Sequence, residues 1–381
     1  MLYVTLGDQP SGVYEGQVID VCHFLSHNLK AKVRLVAFIS IREFRLNKMK
    51  IKRSYPGAIV LPMFPKLQNW QLNVFMLALV CLFTGERVVI CRNVLATNIA
   101  LSLKKIGLLN KVCYDGRGAI AAEWEEYEVV EEESLKAGIA KYERAAVLAS
   151  DYRIAVSSKL VSYWGERYEY ASQAHAVIPC TLSSHFELEL RSEEDIAFFR
   201  NELGYQQDDI VLVYSGSTAG WQSFNLLKSF LLPILDSCLN MKVIFLSKSD
   251  ENNLFLQEQY PKQVSIKWVS PGEVNKYLAI ADYGILIREN TVTNQVASPT
   301  KFAEYLISGL GVIISPELGD YTQFVLKNSC GIVTNGEVAL DLKVLAYSDR
   351  GRSNELAKQH FLKSSPNNLQ QYTRLIQTLD N

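Results

Sequence analysis

The sequence is expected to fold as an α/β protein with two Rossmann-like, doubly wound domains facing across a cleft. Three observations indicate this: the length, the alternation of strand and helix patterns, and the polar loops that follow the strands. At 381 residues the chain is too long for one ordinary core and suits two. We expect an N-terminal domain at 1–182, a C-terminal domain at 183–350, and a C-terminal helix in 351–381 that packs back on the N-terminal domain.

Short β-branched runs alternate with segments of helical period in both halves, which is typical of mostly parallel sheets covered by helices. The strands predicted in the first half are LYVTL, VRLVAFI, AIVLP, RVVICR, KVCYD, RIAVS and HAVIP. Those predicted in the second half are IVLVYSGS, KVIFLSK, SIKWVS, YGILIR, GVIIS and CGIVTN. Because ligands of such sheets bind beyond the carboxyl ends of the strands, functional residues should follow the strands directly.

Composition disfavours several classes of protein. The 39 basic and 40 acidic residues give a net charge of −1, so no global field attracts nucleic acid. Seven scattered cysteines without a CxxC pair argue against a disulfide framework and a zinc site. His23 and His27 are one helical turn apart, but no third ligand is nearby in the sequence. The start, MLYVTLGDQPSG, predicts a first strand and a cytoplasmic protein, since it lacks the basic and long apolar regions of a signal peptide.

Two segments bear on membrane association. The apolar run VFMLALVCLF at 74–83 is far shorter than the roughly 20 residues that span a bilayer, and it predicts a buried helix. The segment IREFRLNKMKIKR at 41–53 carries six basic residues and one acidic residue among apolar ones. It indicates either a peripheral contact with the inner membrane leaflet or a solvated helix face.

The segment Ala281 to Asp320 combines a buried strand with a helix start suited to phosphate. We expect Ser298 to cap a helix that has Pro299 at its first position and continues through Thr300. A helix N-terminus carries a partial positive charge of roughly half a unit, and Lys301 adds a full one. Glu304, three residues later, can accept two hydrogen bonds from a ribose diol.

Polar and glycine residues follow several other predicted strands. Glycines allow a loop to approach a ligand closely, although each is also compatible with an ordinary turn. The loop after the first strand is the expected wall of an acceptor site, with Tyr14 able to stack on a sugar ring. The residues singled out at these strand ends are Gly12, Tyr14, Gly16, Arg92, Asn93, Asp115, Arg117, Gly216 and Arg288.

The two halves, YSGSTAGW, ADYGILIREN and SPTKFAEYLISGLGVI together resemble the glycosyltransferases of family 4, which have the two-domain B-type (GT-B) fold. Bacterial members that build surface polysaccharides are similar in CRNVLATNIALSLKK and CYDGRGAIAAEW as well. The resemblance implies a nucleotide-diphosphate sugar on the C-terminal domain and a glycan or lipid-linked saccharide acceptor on the N-terminal domain. It also implies retention of anomeric configuration, with no metal or other cofactor.

The resemblance assigns roles to individual residues. Glu304 would bind the ribose, the helix start from Ser298 to Lys301 would contact the diphosphate and sugar, and Gly216 with Ser217 would meet the diphosphate from the opposite side. Lys301 and Arg288 are the expected cations at the leaving group, and Lys248 is a third candidate.

This chain also departs from the family pattern. Val296 stands eight positions before Glu304, where many members carry a second glutamate. The candidates for reading the donor sugar are therefore Glu289, Asn290 and Asn294. The first half has no histidine after a strand, which leaves Asp115 with Arg117, or Arg92, for contact with the reacting sugar. A sugar-nucleotide 2-epimerase and a non-catalytic glycosyltransferase-like partner are the alternatives.

Overall fold

The computed structural model of the protein describes residues 1–64, 67–127, 129–130, 132–216, 222–336 and 341–380. The chain divides into two compact units, a first unit of Met1–Ser184 with Pro366–Asn381 and a second unit of His185–Ser365. Each unit is built on one parallel sheet covered by helices, which confirms the predicted architecture of two Rossmann-like α/β domains. The predicted C-terminal segment 351–381 is divided between the two units at Pro366.

The sheet of the first unit has seven strands in the order β3-β2-β1-β4-β5-β6-β7. Its strands are β1 (Leu2–Leu6), β2 (Arg34–Ile39), β3 (Ile59–Pro62), β4 (Val88–Arg92), β5 (Lys111–Gly116), β6 (Tyr152–Ala155) and β7 (His175–Val177). All seven runs predicted from the sequence form these strands. The central strand β1 is buried along its whole length, as the apolar run LYVTL requires in a sheet with helices on both faces.

The helices of the first unit connect these strands. They are α1 (Gly12–Tyr14), α2 (Asp20–His27), α3 (Phe44–Ser54), α4 (Asn73–Thr84), α5 (Val94–Lys105), α6 (Ile120–Glu126), α7 (Glu133–Ala149), α8 (Ser158–Tyr168) and, from the end of the chain, α17 (Pro366–Asp380). A π-helical stretch, Glu15–Ile19, joins α1 to α2. Helix α17 packs on this unit through Tyr372, whose ring lies 5.3 Å from that of Phe24.

Helix α4 corrects one prediction, because the run at 74–83 is helical but only one of its faces is buried. Leu77, Val80 and Cys81 face the interior. The opposite face is apolar and exposed, with Phe75 at 66% and Phe83 at 87% exposure. Apolar residues lie on every side of this helix. The sequence therefore has no periodic pattern that predicts which face packs on the domain.

The sheet of the second unit has six strands in the order β10-β9-β8-β11-β12-β13. They are β8 (Ile210–Ser215), β9 (Met241–Leu246), β10 (Val264–Lys267), β11 (Tyr283–Leu286), β12 (Gly311–Ile314) and β13 (Gly331–Val333), again at the predicted runs. The helices are α9 (Glu193–Glu202), α10 (Phe224–Ser237), α11 (Glu251–Gln259), α12 (Pro271–Ala279), α13 (Val292–Gln295), α14 (Thr300–Ile307), α15 (Tyr321–Asn328) and α16 (Tyr347–Phe361).

A buried ionic cluster lies at the amino end of this second sheet. Asp282, which precedes β11 and is fully buried, pairs with Arg200 and Arg350. It also accepts hydrogen bonds from the backbone N–H groups of Val211 and Leu345 at 2.9 and 3.0 Å. Burial lowers the pKa of Arg350, and Asp282 opposes that shift. One carboxylate thus joins α9, β8, β11 and α16.

We predict that Asp282→Ala destabilises the second unit by about 3–5 kcal/mol, because it leaves two buried guanidinium groups without a counterion. The free energy of unfolding in urea measures this loss. Asp349→Ala is the matched control: it removes a carboxylate 2.7 Å from the exposed Arg352, and we expect a change of less than about 1 kcal/mol. Similar losses in the two variants would contradict the structural role of Asp282.

Candidate nucleotide-sugar site

Each sheet reverses its strand order at one point, between β1 and β4 in the first unit and between β8 and β11 in the second. Ligands of open α/β sheets bind beyond the carboxyl ends of the strands at such a switch point. In the second unit, Gly216 directly follows β8, and Arg288 and Glu289 come shortly after β11. Three of the donor-site residues predicted from the sequence therefore lie at this switch point.

Arg288 is held at the switch point by neutral groups. Its side chain donates to the Gln222 amide oxygen at 2.8 Å and to the Asn294 amide oxygen at 3.4 Å, and the residue is only 8% exposed. Its backbone N–H donates to Ser315 Oγ at 2.7 Å, which fixes the end of β11 to β12. Amide oxygens accept from a guanidinium, so these two contacts orient the Arg288 side chain.

The loop after Arg288 is ordered around Asn294. The buried Asn294 amide donates to the Glu289 carbonyl at 3.1 Å and to Thr291 Oγ1 at 3.2 Å. Glu289 and Asn290 are exposed, and Asn290 accepts a hydrogen bond from Gln295 at 2.8 Å. Of the three candidates for reading the donor sugar, Asn294 thus shapes the loop, whereas Glu289 and Asn290 present side chains at its surface.

The start of α14 differs from the sequence prediction. Pro299 is the residue that precedes the first helical residue, Thr300, and no side chain caps the helix. The Ser298 hydroxyl instead forms a 2.7 Å hydrogen bond with the Tyr321 hydroxyl, and the Tyr321 ring stacks on Phe302 at 4.0 Å. The predicted boundary is therefore wrong by one residue, because Pro299 and not Ser298 directly precedes the helix.

Lys301 and Glu304 form an ion pair on the first turn of α14. Lys301 Nζ lies 2.6 Å from Glu304 Oε2, and the two side chains are 30% and 11% exposed. Within the described part of the chain, Glu304 Oε1 has no hydrogen-bond donor. The arrangement places a cation and a carboxylate together beside the unpaired N–H groups of a helix start.

Tyr305 fixes α14 to the last residue of β8 and to the second residue of β11. Its hydroxyl accepts a hydrogen bond from the backbone N–H of Ser215 at 2.9 Å. Its ring lies against Gly284 of β11, where an added Cβ would meet the ring at 2.1 Å. Burial raises the pKa of Tyr305, Glu304 adds to that shift and Arg288 opposes it.

The positions of three other predicted donor residues say less about a donor site. Ser217 lies in 217–221, outside the described residues. Gly216 is described, and a Cβ there would lie 3.5 Å from the Tyr214 hydroxyl, in ordinary contact. Lys248 follows β9, on the side of β8 away from β11, and its ammonium lies 5.3 Å from the ring centre of the exposed Trp268. Its role at the donor stays a prediction.

In the first unit, Asp115 and Arg117 form an internal ion pair at the end of β5. Asp115 is fully buried and accepts from the Tyr3 hydroxyl and from Arg117, whose Nε lies 2.8 Å from Oδ1. Burial and the Asp115 charge together raise the pKa of Tyr3. A carboxylate enclosed in this way cannot touch a substrate, so the structure contradicts the predicted catalytic role of Asp115.

Arg92 and Asn93 lie at the end of β4, on the other side of the switch point from β1. Arg92 Nε is 3.6 Å from Oδ1 of Asp8, and burial raises the pKa of that carboxyl against the effect of Arg92. Asn93 donates to the Leu6 carbonyl at 2.9 Å and accepts from the Ala96 N–H at 3.0 Å. Its side chain therefore caps α5 and joins β4 to β1.

The predicted acceptor wall is helical. Gly12 begins α1 and Gly16 lies in the π-helical stretch, so the predicted loop is helical at both glycines. A Cβ on Gly16 would lie 2.9 Å from Ser183 Cβ, which gives this glycine a packing role. Tyr14 is only 3% exposed and its hydroxyl lies 3.3 Å from Thr5 Oγ1, so the structure contradicts stacking of Tyr14 on a sugar.

Two histidines of the first unit lie one helical turn apart on α2. The His23 ring stacks on His27, and His23 Nε2 lies 3.0 Å from the Ser54 carbonyl. Among the described residues, no three His, Cys, Asp or Glu side chains gather as a metal site.

Sequence reasoning missed Gln222, Tyr305 and Asp8. Gln222 lies within the YSGSTAGWQSF segment, but its contact with Arg288 joins positions 66 residues apart. Tyr305 appeared as one more apolar residue of α14, and its hydroxyl contact spans 90 residues. The available signal was position along the chain: Asp8 lies two residues after β1, and Gln222 lies two residues before α10.

We predict that Gly284→Ala destabilises the second unit by about 1–3 kcal/mol, because a methyl group on β11 would force the Tyr305 ring away. Urea unfolding measures the change. Gly272→Ala in α12 is the control, since nothing lies within 4 Å of its added Cβ and alanine favours a helix. Equal stability of Gly284→Ala and the parent protein would contradict the tight contact.

The sequence matches no protein-family model and no curated protein. Solved structures nevertheless match along its whole length. A glycosyltransferase from Rickettsia africae has a TM-score of 0.70 at 12% identity, with 100% of this chain and 98% of that chain covered. HepE from Anabaena, solved in complex with UDP, has a TM-score of 0.69 at 14% identity, with 100% and 99% covered.

A third match is WaaG, described as a glycosyltransferase involved in lipopolysaccharide biosynthesis, with a TM-score of 0.60 at 13% identity and 100% and 95% coverage. At these identities the likeness shows the fold, which is the two-domain α/β fold of these glycosyltransferases. The assignment to family 4 stays a prediction.

Proposed function

We propose that this protein is a retaining glycosyltransferase that moves a sugar from a nucleotide-diphosphate sugar to a glycan or lipid-linked saccharide in surface polysaccharide synthesis. The observation that supports the proposal is the position of Arg288, the Lys301–Glu304 pair and the start of α14. All of them follow β11, one of the two strands at the switch point of the second sheet. HepE, which shares the fold, has been solved with UDP and with UDP and glucose.

The chemistry of the donor matches these residues. A departing nucleoside diphosphate gains negative charge, and preorganised cations and N–H donors stabilise that charge more in the transition state than in the ground state. Arg288 is suited to this because neutral amides orient it. Lys301 and the N–H groups at the start of α14 supply further positive charge. We infer that these protein groups act without a metal or other cofactor.

Glu304 is the proposed ribose ligand. Its Oε2 is paired with Lys301, and its Oε1 can accept a hydrogen bond from a ribose hydroxyl. Lys301 can contact the diphosphate from the same turn. Val296 stands where many members of the family carry a second glutamate. We propose that the exposed Glu289 and Asn290 contact the sugar hydroxyls instead.

A panel of sugar nucleotides with the purified protein tests the function. We expect UDP, GDP or TDP with its sugar to raise the unfolding temperature, since a ligand of the folded state stabilises it. We also expect slow release of free sugar, with transfer when a saccharide acceptor is added. Interconversion of two sugar nucleotides would instead identify an epimerase, and stabilisation without turnover would identify a non-catalytic partner.

We predict that Glu304→Ala weakens binding of the stabilising nucleotide by roughly tenfold to a hundredfold, because it removes a hydrogen bond to a charged acceptor worth about 1.5–3 kcal/mol. Isothermal titration measures the affinity. Glu202→Ala, which removes the carboxylate 2.8 Å from Lys276 on the same unit, should leave binding unchanged. An unaltered affinity of a folded Glu304→Ala protein would refute the ribose role.

Lys301→Ala separates the charge contact from the ribose contact. We expect it to weaken binding of the nucleoside diphosphate about tenfold while the nucleoside itself binds as before, because only the diphosphate carries the anion that Lys301 attracts. Titration of both ligands measures the ratio, with Lys276→Ala as the control. Equal losses for both ligands would count against this assignment.

A further inference from the structure

A cavity of about 860 Å³ lies at the amino end of the second sheet, within the second unit. Its lining residues belong to α9, to 205–208 and to 344–350. Arg200 and Arg350 are among them, so the cavity lies beside the ionic cluster of Asp282. Cavities of this size accommodate small organic molecules.

This cavity is separate from the candidate nucleotide-sugar site. Residues 205–208 precede β8 and Asp282 precedes β11, whereas Gly216 and Arg288 follow these strands. Arg288 lies six residues after Asp282, which is roughly 20 Å of extended chain at about 3.3 Å per residue. A small molecule in the cavity would therefore not touch the donor residues.

Two guanidinium groups of the cavity wall share one carboxylate. Arg200 and Arg350 are 7% and 3% exposed, and both pair with the fully buried Asp282. Each Asp282 oxygen also accepts from a backbone N–H group, Oδ2 from Val211 and Oδ1 from Leu345. The cluster thus carries one positive charge in excess, and a buried charge without a counterion is costly.

Each arginine also has one nitrogen without an acceptor in the part of the chain that the structure describes. Arg200 donates through Nε to the Ile280 carbonyl at 2.9 Å and through Nη2 to Asp282, which leaves Nη1. Arg350 donates through Nη1 to two backbone carbonyls at 3.2 and 2.7 Å and through Nη2 to Asp282, which leaves Nε. A carboxylate can accept from such N–H groups and neutralise the excess charge.

Exposed polar side chains line the rest of the cavity. Asn201, Gln206 and Gln207 are exposed there, and their amide groups form no hydrogen bond with any other described residue. Amides both donate and accept, so they match hydroxyl groups. Glu193 and Asp208 are also exposed in the lining, where they can accept from hydroxyls but repel a ligand with several negative charges.

We propose that this cavity binds a small hydroxylated carboxylate, such as a uronic acid. Its carboxylate would accept from Arg200 and Arg350, its hydroxyls would bind the amides and the exposed acids, and Ile196 with Leu345 would cover the C–H groups of its ring. A phosphate monoester fits less well, because it carries up to two negative charges and the cluster has one positive charge in excess. The inference does not depend on the proposed sugar transfer.

Isothermal titration of the whole protein with single compounds tests the site. We expect saturable binding of D-glucuronate, D-galacturonate or D-gluconate. Glucose, which has hydroxyls but no carboxylate, and inorganic phosphate, which has charge but no C–H groups, should each bind about tenfold more weakly or less than the best of these acids. Glu304→Ala should bind that acid as the parent protein does, because Glu304 follows β11.

Ala197→Trp fills the cavity without removing a member of the ionic cluster. Ala197 lines the cavity and is exposed on α9. We expect the indole to occupy part of the space and to weaken binding of the best acid by about tenfold or more. Phe198→Trp is the matched control, since Phe198 is the next residue of the same helix, is 65% exposed and is not among the described lining residues.

Arg200→Gln tests the charge. It leaves Arg350 and Asp282 as a balanced pair, so the excess positive charge is lost. We expect the acid to bind about tenfold more weakly, with an affinity close to that of glucose, because a charge-assisted hydrogen bond is removed. The unfolding temperature of each variant shows whether it is folded.

Four results would overturn the proposal. One is that none of the three acids binds the parent protein. Another is that folded Ala197→Trp and Arg200→Gln proteins bind the best acid as the parent does. The third is that glucose or phosphate binds as tightly as that acid, since hydroxyls or charge alone would then be recognised. The fourth is that Glu304→Ala loses the acid, which would place the acid at the donor site.

Discussion

The contact between Tyr305 and Gly284 is the constraint on which the candidate site depends. Strand β11 can approach α14 this closely only because residue 284 has no side chain. The same tyrosine reaches Ser215 at the end of β8, so one ring fixes the helix to both strands of the switch point. Lys301 and Glu304 are then positioned by the helix itself, which is buried from Phe302 through Ile307.

The two switch points place their charged groups differently. In the first unit, Arg117 is paired with the fully buried Asp115. In the second unit, the amide oxygens of Gln222 and Asn294 orient Arg288. Lys301 and Glu304 pair on the first turn of α14, where their side chains are 30% and 11% exposed. This difference in exposure supports the proposal that the donor binds the second unit.

The sequence predicts the sheets well because buried parallel strands are short apolar runs between helical segments, and all thirteen predicted runs form strands. It predicts the environments of single side chains less well. Ser298 follows the pattern of a capping residue, yet its hydroxyl meets Tyr321 in the next helix, a tertiary contact that no local pattern encodes. Tyr14 and Asp115 follow strands as functional residues do, but packing encloses both.

The chain is neutral as a whole, so recognition of an anion must depend on local groups and not on the total charge. Arg288 is only 8% exposed, and salt screens the interaction of such a cation with a group in direct contact little. Exposed lysines, such as those of α3, interact with anions over a distance limited by a Debye length of about 8 Å at physiological salt. A neutral total charge is therefore compatible with an anion site, because the interaction depends on where the cations lie and how deeply they are buried.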